Sequence, residues 1–171
     1  AFYACTDLKK LTIKSIGGNP TSFNRFIRSC SALKEIDWKT SYQDTENGRN
    51  FYETFAYNIT IARYPEVNTS LATGCYGMFK YNYLLERPPV LDLPLATNTS
   101  QMFNNNFNMV EANFSGFNRP NAESMFYKCY HLKSVSGIFE DYETTPYYVR
   151  NMFYDCYFLE DVSNFVISGV T

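Results

Sequence analysis

A repeated apolar pattern fills the chain and constrains its fold more than any other feature. The first copy, AFYACTDLKKLTI at residues 1–13, follows the form F-x-x-C-x-x-L-x-x-L-x-I. Its first apolar position, which we call the phase residue, recurs at Phe2, Ile27, Phe55, Phe79, Phe103, Phe126 and Phe153. A spacing of 23 to 28 residues predicts a solenoid, because a unit of this size cannot bury its apolar face alone and needs stacked neighbours.

Two positions at fixed distances from the phase residue are expected to be buried. Three residues after it, every copy has Cys or Asn, which we call the Cys/Asn column: Cys5, Cys30, Asn58, Asn82, Asn106, Cys129 and Cys156. Cys is small and often buried, and Asn can donate and accept hydrogen bonds, so we expect an inward position beside backbone polar groups. Six residues after the phase residue stands a column that predicts core: Leu8, Leu33, Ile61, Leu85, Met109, Leu132 and Leu159.

Alternating apolar residues at the end of each copy predict a short strand. Leu11 and Ile13 show the alternation in the first copy, and Val90 continues it in the fourth. Pro65 and Pro88 stand where strands would pair on both sides, and proline cannot donate to a strand ladder. We therefore expect shorter or weaker strands in the middle copies.

The segments that precede the phase residues predict short helices. TNTSQMFNNN and PNAESMFYKC, for example, have Ser, Thr or Asn a few residues before an apolar pair, as at the capped start of a helix. Each copy would then contain a short helix, a bend and a short strand. The expected fold is a single α/β solenoid domain over residues 1–171, with about seven coils, parallel strands on one face and helices on the other.

The copies resemble a known repeat family. AFYACTDLKKLTI, SMFYKCYHLKSV and NMFYDCYFLEDV are similar to the A-F-x-x-C-x-x-L-x-x-I unit of BspA-type leucine-rich repeats and to the M-F-x-x-C repeat of mycoplasma and gut-bacterial surface proteins. The resemblance implies a right-handed leucine-rich-repeat-like solenoid and an exported, surface-displayed binding protein, but no particular ligand. The same repeat occurs in phages and in some protist surface proteins, so the source stays open.

The cysteines are expected to be free. Cys5 and Cys30 lie in adjacent copies, as do Cys129 and Cys156, whereas Cys75 lies outside the Cys/Asn column. If this column lies on the helical side, neighbouring helices pack about 8 to 10 Å apart. That separation exceeds the roughly 7 Å between Cα atoms that a disulfide tolerates, so we expect buried thiols.

Composition argues against catalysis and against nucleic acid. The net charge is −2 and the signs are mixed, whereas nucleic-acid binding needs a concentrated basic face. The sequence has a single histidine, so few histidine-based catalytic triads are possible, and no phosphate loop or metal-binding motif occurs. No apolar run approaches the roughly 18 residues of a membrane helix. We therefore expect no enzyme activity, cofactor, metal or membrane insertion by this stretch.

The candidate binding residues form two sets. Four residues after the phase residue, the later copies have an aromatic row that we call the aromatic ladder: Tyr83, Phe107, Tyr130 and Tyr157. Its rings are expected to line one edge of the solenoid, either stabilising one another or forming a platform for a glycan or an extended peptide. The second set consists of outward charges on the strand face: Arg63, Arg87, Glu111 and Lys133.

Three functions compete for such a scaffold. The first is a non-catalytic adhesion module in a bacterial envelope protein, binding a protein or glycan of a host or another cell. The second is a structural or receptor-binding element of a phage virion, and the third is a targeting module of a larger enzyme. The expected location is extracellular or at the cell surface, with a signal or anchor elsewhere in a longer chain, and the alternative location is a virion.

Overall fold

The chain folds into a solenoid of parallel β-strands with about six turns. The computed structural model describes residues 1–16, 20–38, 49–117, 121–138 and 148–162. The predicted solenoid and its parallel strands are therefore confirmed. Seven phase residues bound only six complete repeat intervals, which is why the number of turns is about six and not the expected seven.

The strands are short, and each pairs in parallel with a strand one coil away. Their bounds are β1 (Phe2–Tyr3), β2 (Lys10–Ile13), β3 (Ile27–Arg28), β4 (Glu35–Trp38), β5 (Arg49–Asn50), β6 (Ala72–Gly74), β7 (Leu91–Asp92), β8 (Glu111–Phe117), β9 (Ser134–Ile138) and β10 (Asp161–Val162). β1 pairs with β3, β2 with β4, and β5 with β6, while β7, β8, β9 and β10 form one sheet in that order. Equivalent residues of successive copies face each other, as Leu11 does Ile36.

The middle coils have weak strands, as the prolines predict. Where β2 and β4 pair over four residues, the corresponding positions of the third and fourth coils form an isolated bridge between Arg63 and Arg87. The prediction that Val90 continues the inward alternation is wrong, because Val90 is 54% exposed and Leu91 is fully buried. Leu91 pairs with Phe114 in the next coil, so the two consecutive prolines delay the alternation by one residue.

The predicted short helices are absent, since the described residues contain only strands, turns and bends. The physical reason is a left-handed backbone conformation two residues before and two residues after the phase residue. Around Phe103, for example, Gln101 has φ 55° and Asn105 has φ 62°. A right-handed helix cannot include such residues. Their N–H groups instead donate to carbonyls of the next coil, from Gln101 to Glu123 at 2.9 Å and from Asn105 to Tyr127 at 2.8 Å.

The polar residues that suggested helix caps instead close tight turns. The side-chain oxygen of Asn50 accepts the N–H of Tyr52 at 2.9 Å, and that of Asn98 accepts the N–H of Ser100 at 3.0 Å. This hydrogen bond to the residue two positions later is the same local chemistry that begins a helix. The sequence pattern therefore identified the turn but not the backbone conformation that follows it.

Stacked phenylalanine rings form the centre of the core. The rings of Phe55, Phe79, Phe103, Phe126 and Phe153 are stacked in order, with centroid distances of 5.3 to 5.6 Å between neighbours. Each ring is the phase residue of its coil, so these rings lie at equivalent positions in successive coils. The column six residues after the phase residue also lies in the core, fully buried at its inner positions from 33 to 132 and partly buried at its two ends.

The Cys/Asn column is explained by two hydrogen-bonding roles. The side-chain oxygen of Asn82 accepts the N–H of Asn58 at 2.8 Å, and its amide nitrogen donates to the carbonyl of Phe55 at 3.0 Å. A cysteine can perform only the second role: the thiol of Cys129 donates to the carbonyl of Phe103 at 3.1 Å. Both residue types therefore donate a hydrogen bond to the backbone carbonyl of the phase residue in the preceding coil. Both also fit the same small buried space.

We expect replacement of Asn82 by Ala to destabilise the protein by about 1 to 3 kcal/mol, because the buried N–H of Asn58 loses its acceptor. Replacement by Cys should cost less, since a thiol can still donate to the Phe55 carbonyl. Urea titration of both variants measures the difference. Equal losses for the Ala and Cys variants would contradict the shared role of the two residue types.

All five cysteines are free in the structure, but the distance argument that predicted this result is wrong. Coils joined by parallel strands are spaced about 4.8 Å apart, which is closer than packed helices. The thiols of Cys30, Cys129 and Cys156 instead donate to backbone carbonyls at 3.1 to 3.3 Å. Cys75 is fully buried, and burial raises the pKa of its thiol to about 12. Cys5 and Cys156 are only partly buried, contrary to expectation.

Candidate functional site

The four rings of the aromatic ladder form one continuous stack. The centroid distance is 4.8 Å from Tyr83 to Phe107, 5.0 Å from Phe107 to Tyr130 and 5.5 Å from Tyr130 to Tyr157. The planes of neighbouring rings differ by 10° or less. Each ring follows the buried Cys/Asn position of its coil by one residue. The stacking register of the coils therefore places all four rings at the same edge.

Exposure of the aromatic ladder is uneven. Tyr83 is 36% exposed and Tyr157 is 69% exposed, while Phe107 and Tyr130 are half-buried. Because the ring faces contact one another, the inner rings offer their edges to solvent, and Tyr130 adds a hydroxyl. A hydrogen bond with the Asp155 side chain raises the pKa of the Tyr157 hydroxyl above its ordinary value.

Further rings widen the ladder. Tyr81 meets Tyr83 edge to face at 6.3 Å. His131 stacks on Phe158 at 5.6 Å, one residue beyond the ladder positions of the last two coils. The Nδ1 atom of His131 also lies 2.8 Å from the backbone carbonyl oxygen of Phe107. Sequence reasoning assigned no role to this pair, although both residues occupy the same position in successive copies.

The predicted charges of the strand face divide between two columns. Arg63 and Arg87 share a backbone bridge, and the Arg87 guanidinium lies 3.4 Å from the Glu111 carboxylate. Glu111 faces Ser134 in the next coil, so Lys133 belongs to the neighbouring column. The structure thus brings three of the four charges together. The Arg87 side chain is exposed and the Glu111 side chain is partly exposed, and ion pairs in such positions contribute little to stability.

A buried charge cluster was not predicted. The Glu53 carboxylate is 5% exposed and lies within 2.5 to 3.1 Å of Lys80, Arg28 and Arg25. Burial opposes ionisation of Glu53, but the hydrogen bond and charge of Lys80 and the charge of Arg28 outweigh it. The pKa of this carboxyl therefore lies below its ordinary value. The cluster was missed because its members belong to different copies and meet only when the coils stack.

Tyrosine rings surround the excess positive charge of this cluster. The Arg28 guanidinium lies 4.5 Å from the ring centroid of Tyr57, and the Lys80 ammonium lies 4.9 Å from that of Tyr76. Contacts of this kind stabilise a cation that is largely removed from water. The cluster therefore connects three successive coils through ion pairs and stabilises their stacking.

The described parts of the chain contain no group of three or more His, Cys, Asp or Glu side chains that could hold a metal ion. No helix in those same segments has the length and apolar character needed to cross a membrane. Comparison with protein-family models, with curated proteins and with solved structures found no match to this chain.

Proposed function

We propose that the chain is a non-catalytic binding module of a cell-surface protein, and that the aromatic ladder contacts a glycan or extended peptide of another cell or of a host. The observation that carries this proposal is the stack of four rings, whose two ends, Tyr83 and Tyr157, are exposed. Tyrosine suits such a role because it combines a large apolar surface with a hydroxyl.

The geometry favours an elongated ligand. The rings repeat at about the strand spacing of the solenoid, so the ladder is a linear row with a regular period. Each ring is held by its neighbours before any ligand arrives. Binding to a row that is already ordered loses little side-chain entropy, which favours affinity. The partly exposed ion pair of Arg87 and Glu111 offers polar contacts on the strand face.

The repeat pattern supports the location and the finer architecture of this proposal. Its resemblance to BspA-type repeats and to the M-F-x-x-C repeat is the reason to place the module outside the cell. It is also the reason to propose a right-handed, leucine-rich-repeat-like winding. No residue of the aromatic ladder or of the strand-face charges is assigned a catalytic step.

We expect simultaneous replacement of Tyr130 and Tyr157 by Ala to weaken ligand binding at least about tenfold, since two adjacent rings contribute area and hydroxyls together. Wild-type protein and variant would be compared on an oligosaccharide array and on an array of immobilised peptides. The control is Tyr148→Ala, because Tyr148 is 70% exposed and lies outside the ladder.

Thermal melting separates the two roles of the ladder. A stacked aromatic pair contributes about 0.5 to 1.5 kcal/mol beyond its buried area, so a modest fall in Tm is expected together with the loss of binding. A large fall in Tm with every binding signal unchanged would show that the ladder only stabilises the solenoid. Wild-type protein that binds neither array would also contradict the proposal.

A further inference from the structure

We infer that the solenoid has a second binding site, a groove that accepts one unit of a neutral sugar. The groove has a volume of about 300 Å³ and is lined by residues of three successive coils, which we call the Gly74 groove: Asn50, Tyr52, Thr73, Gly74, Tyr76, Thr97 and Asn98. These positions precede the phase residue, whereas the aromatic ladder follows it. The two proposals therefore rest on different residues.

The groove is open because a glycine interrupts a column of polar side chains. Parallel bridges connect Ser22, Asn50, Gly74, Asn98 and Asn121 in successive coils. A Cβ atom at Gly74 would meet the Asn50 side chain at 3.4 Å, which is ordinary van der Waals contact, and the backbone there is not left-handed. The fold therefore does not require glycine at this position. The consequence of the missing side chain is the open space between Asn50 and Asn98.

The groove lining places tyrosine ring edges beside hydrogen-bonding groups. Tyr52 and Tyr76 stack at 5.0 Å, and the Arg25 and Lys80 cations lie over their rings, so the rings present their edges to the groove. Because the side-chain oxygens of Asn50 and Asn98 already accept backbone N–H groups, their amide nitrogens are the donors that remain for a ligand. The Thr97 hydroxyl donates to the Thr73 carbonyl at 3.1 Å and can still accept a hydrogen bond.

This lining fits a neutral sugar better than an ion or a peptide strand. None of the seven lining residues is charged. The backbone is also engaged, because the Gly74 carbonyl accepts the N–H of Phe51 at 2.7 Å and the Asn98 carbonyl accepts that of Cys75 at 2.8 Å. Strand addition would need such groups to be free. A sugar instead brings hydroxyls for the amides and the threonine, and C–H groups that contact the tyrosine ring edges.

The test fills the groove and measures sugar binding. Saturation-transfer NMR with glucose, galactose and N-acetylglucosamine at millimolar concentration should give a signal with the wild-type protein. The Gly74→Asn variant should bind at least about tenfold more weakly, because its side chain occupies the space. The matched control is Ser22→Asn, which adds the same side chain to the same column outside the groove lining and should bind as the wild type does.

A second variant tests the contacts without changing the shape of the groove. Thr97→Val removes one hydroxyl and should weaken binding about three- to tenfold. The Tyr130 and Tyr157 double variant should leave sugar binding in the groove unchanged, so failure of the ladder proposal and failure of this one are distinguishable. Absence of a signal with all three sugars, or equal binding by the Gly74→Asn variant, would overturn the inference.

Discussion

We expect the Phe103→Ala variant to lose about 3 to 5 kcal/mol of the free energy of unfolding. The Phe103 ring is completely buried and stacks between Phe79 at 5.5 Å and Phe126 at 5.6 Å. It also meets the Phe114 ring edge to face at 6.1 Å. Truncation therefore leaves a cavity in the middle of the solenoid, where no end of the chain can relax to fill it.

Urea-induced unfolding followed by circular dichroism measures this loss. The control is Phe158→Ala, because Phe158 is 53% exposed and stacks only on His131 in the described structure. Its loss should stay below about 1 kcal/mol, the usual range for surface substitutions with one modest contact. If Phe103→Ala costs no more than Phe158→Ala, the phenylalanine stack is not continuous.

Replacement of Glu53 by Gln should be about as destabilising, at about 3 to 5 kcal/mol. Gln keeps the size of the side chain but removes the negative charge that Lys80 and Arg28 contact in this largely buried cluster. The control is Arg25→Gln, because the Arg25 side chain is 54% exposed and its ion pair with Glu53 is partly solvated. Its expected cost is about 1 kcal/mol or less.

The same carboxylate predicts how stability depends on pH. The pKa of Glu53 is lowered in the folded state relative to its ordinary value of 4.5, so the folded state binds its proton less readily than the unfolded state does. The stabilisation is therefore present above about pH 4.5 and is lost as the pH falls through the folded pKa. The difference in stability between wild type and Glu53→Gln should shrink below pH 4.5. A difference that does not change with pH would contradict this linkage.

The repeat spacing was sufficient to predict the buried columns but not the backbone between them. The phase residues and the column of Leu33, Ile61 and Leu132 were identified because core positions recur at fixed intervals. The left-handed positions beside the phase residues were not identified, since most of the described ones are residues such as Glu53 and Tyr57, and only Gly77, Asn105 and Asn151 among them are the glycine or asparagine that marks such a conformation. The inter-coil hydrogen bonds that stabilise these positions are long-range and have no local sequence pattern.

The candidate sites also differ in how far the sequence predicts them. The aromatic ladder was predictable because one ring per copy falls at one position. The Gly74 groove was not, because the repeat places Asn50 and Asn98 on either side of Gly74 but does not show that the space between their side chains is open. The delay from Val90 to Leu91 was also missed, since the effect of two consecutive prolines on strand register depends on pairing with Phe114. Equivalent positions of successive copies can be paired from the repeat, whereas side-chain direction, local register shifts and contacts between non-equivalent positions need the three-dimensional structure.

Successive copies stack in one register, with each position above its equivalent in the next coil. NMR scalar couplings across hydrogen bonds test this register, because they identify donor and acceptor atoms. We expect couplings from the amide nitrogens of Cys30, Asn58 and Asn82 to the side-chain carbonyl carbons of Asn58, Asn82 and Asn106, respectively. Couplings from these amides to carbonyls four residues earlier in their own copy would instead indicate helices and contradict the solenoid register.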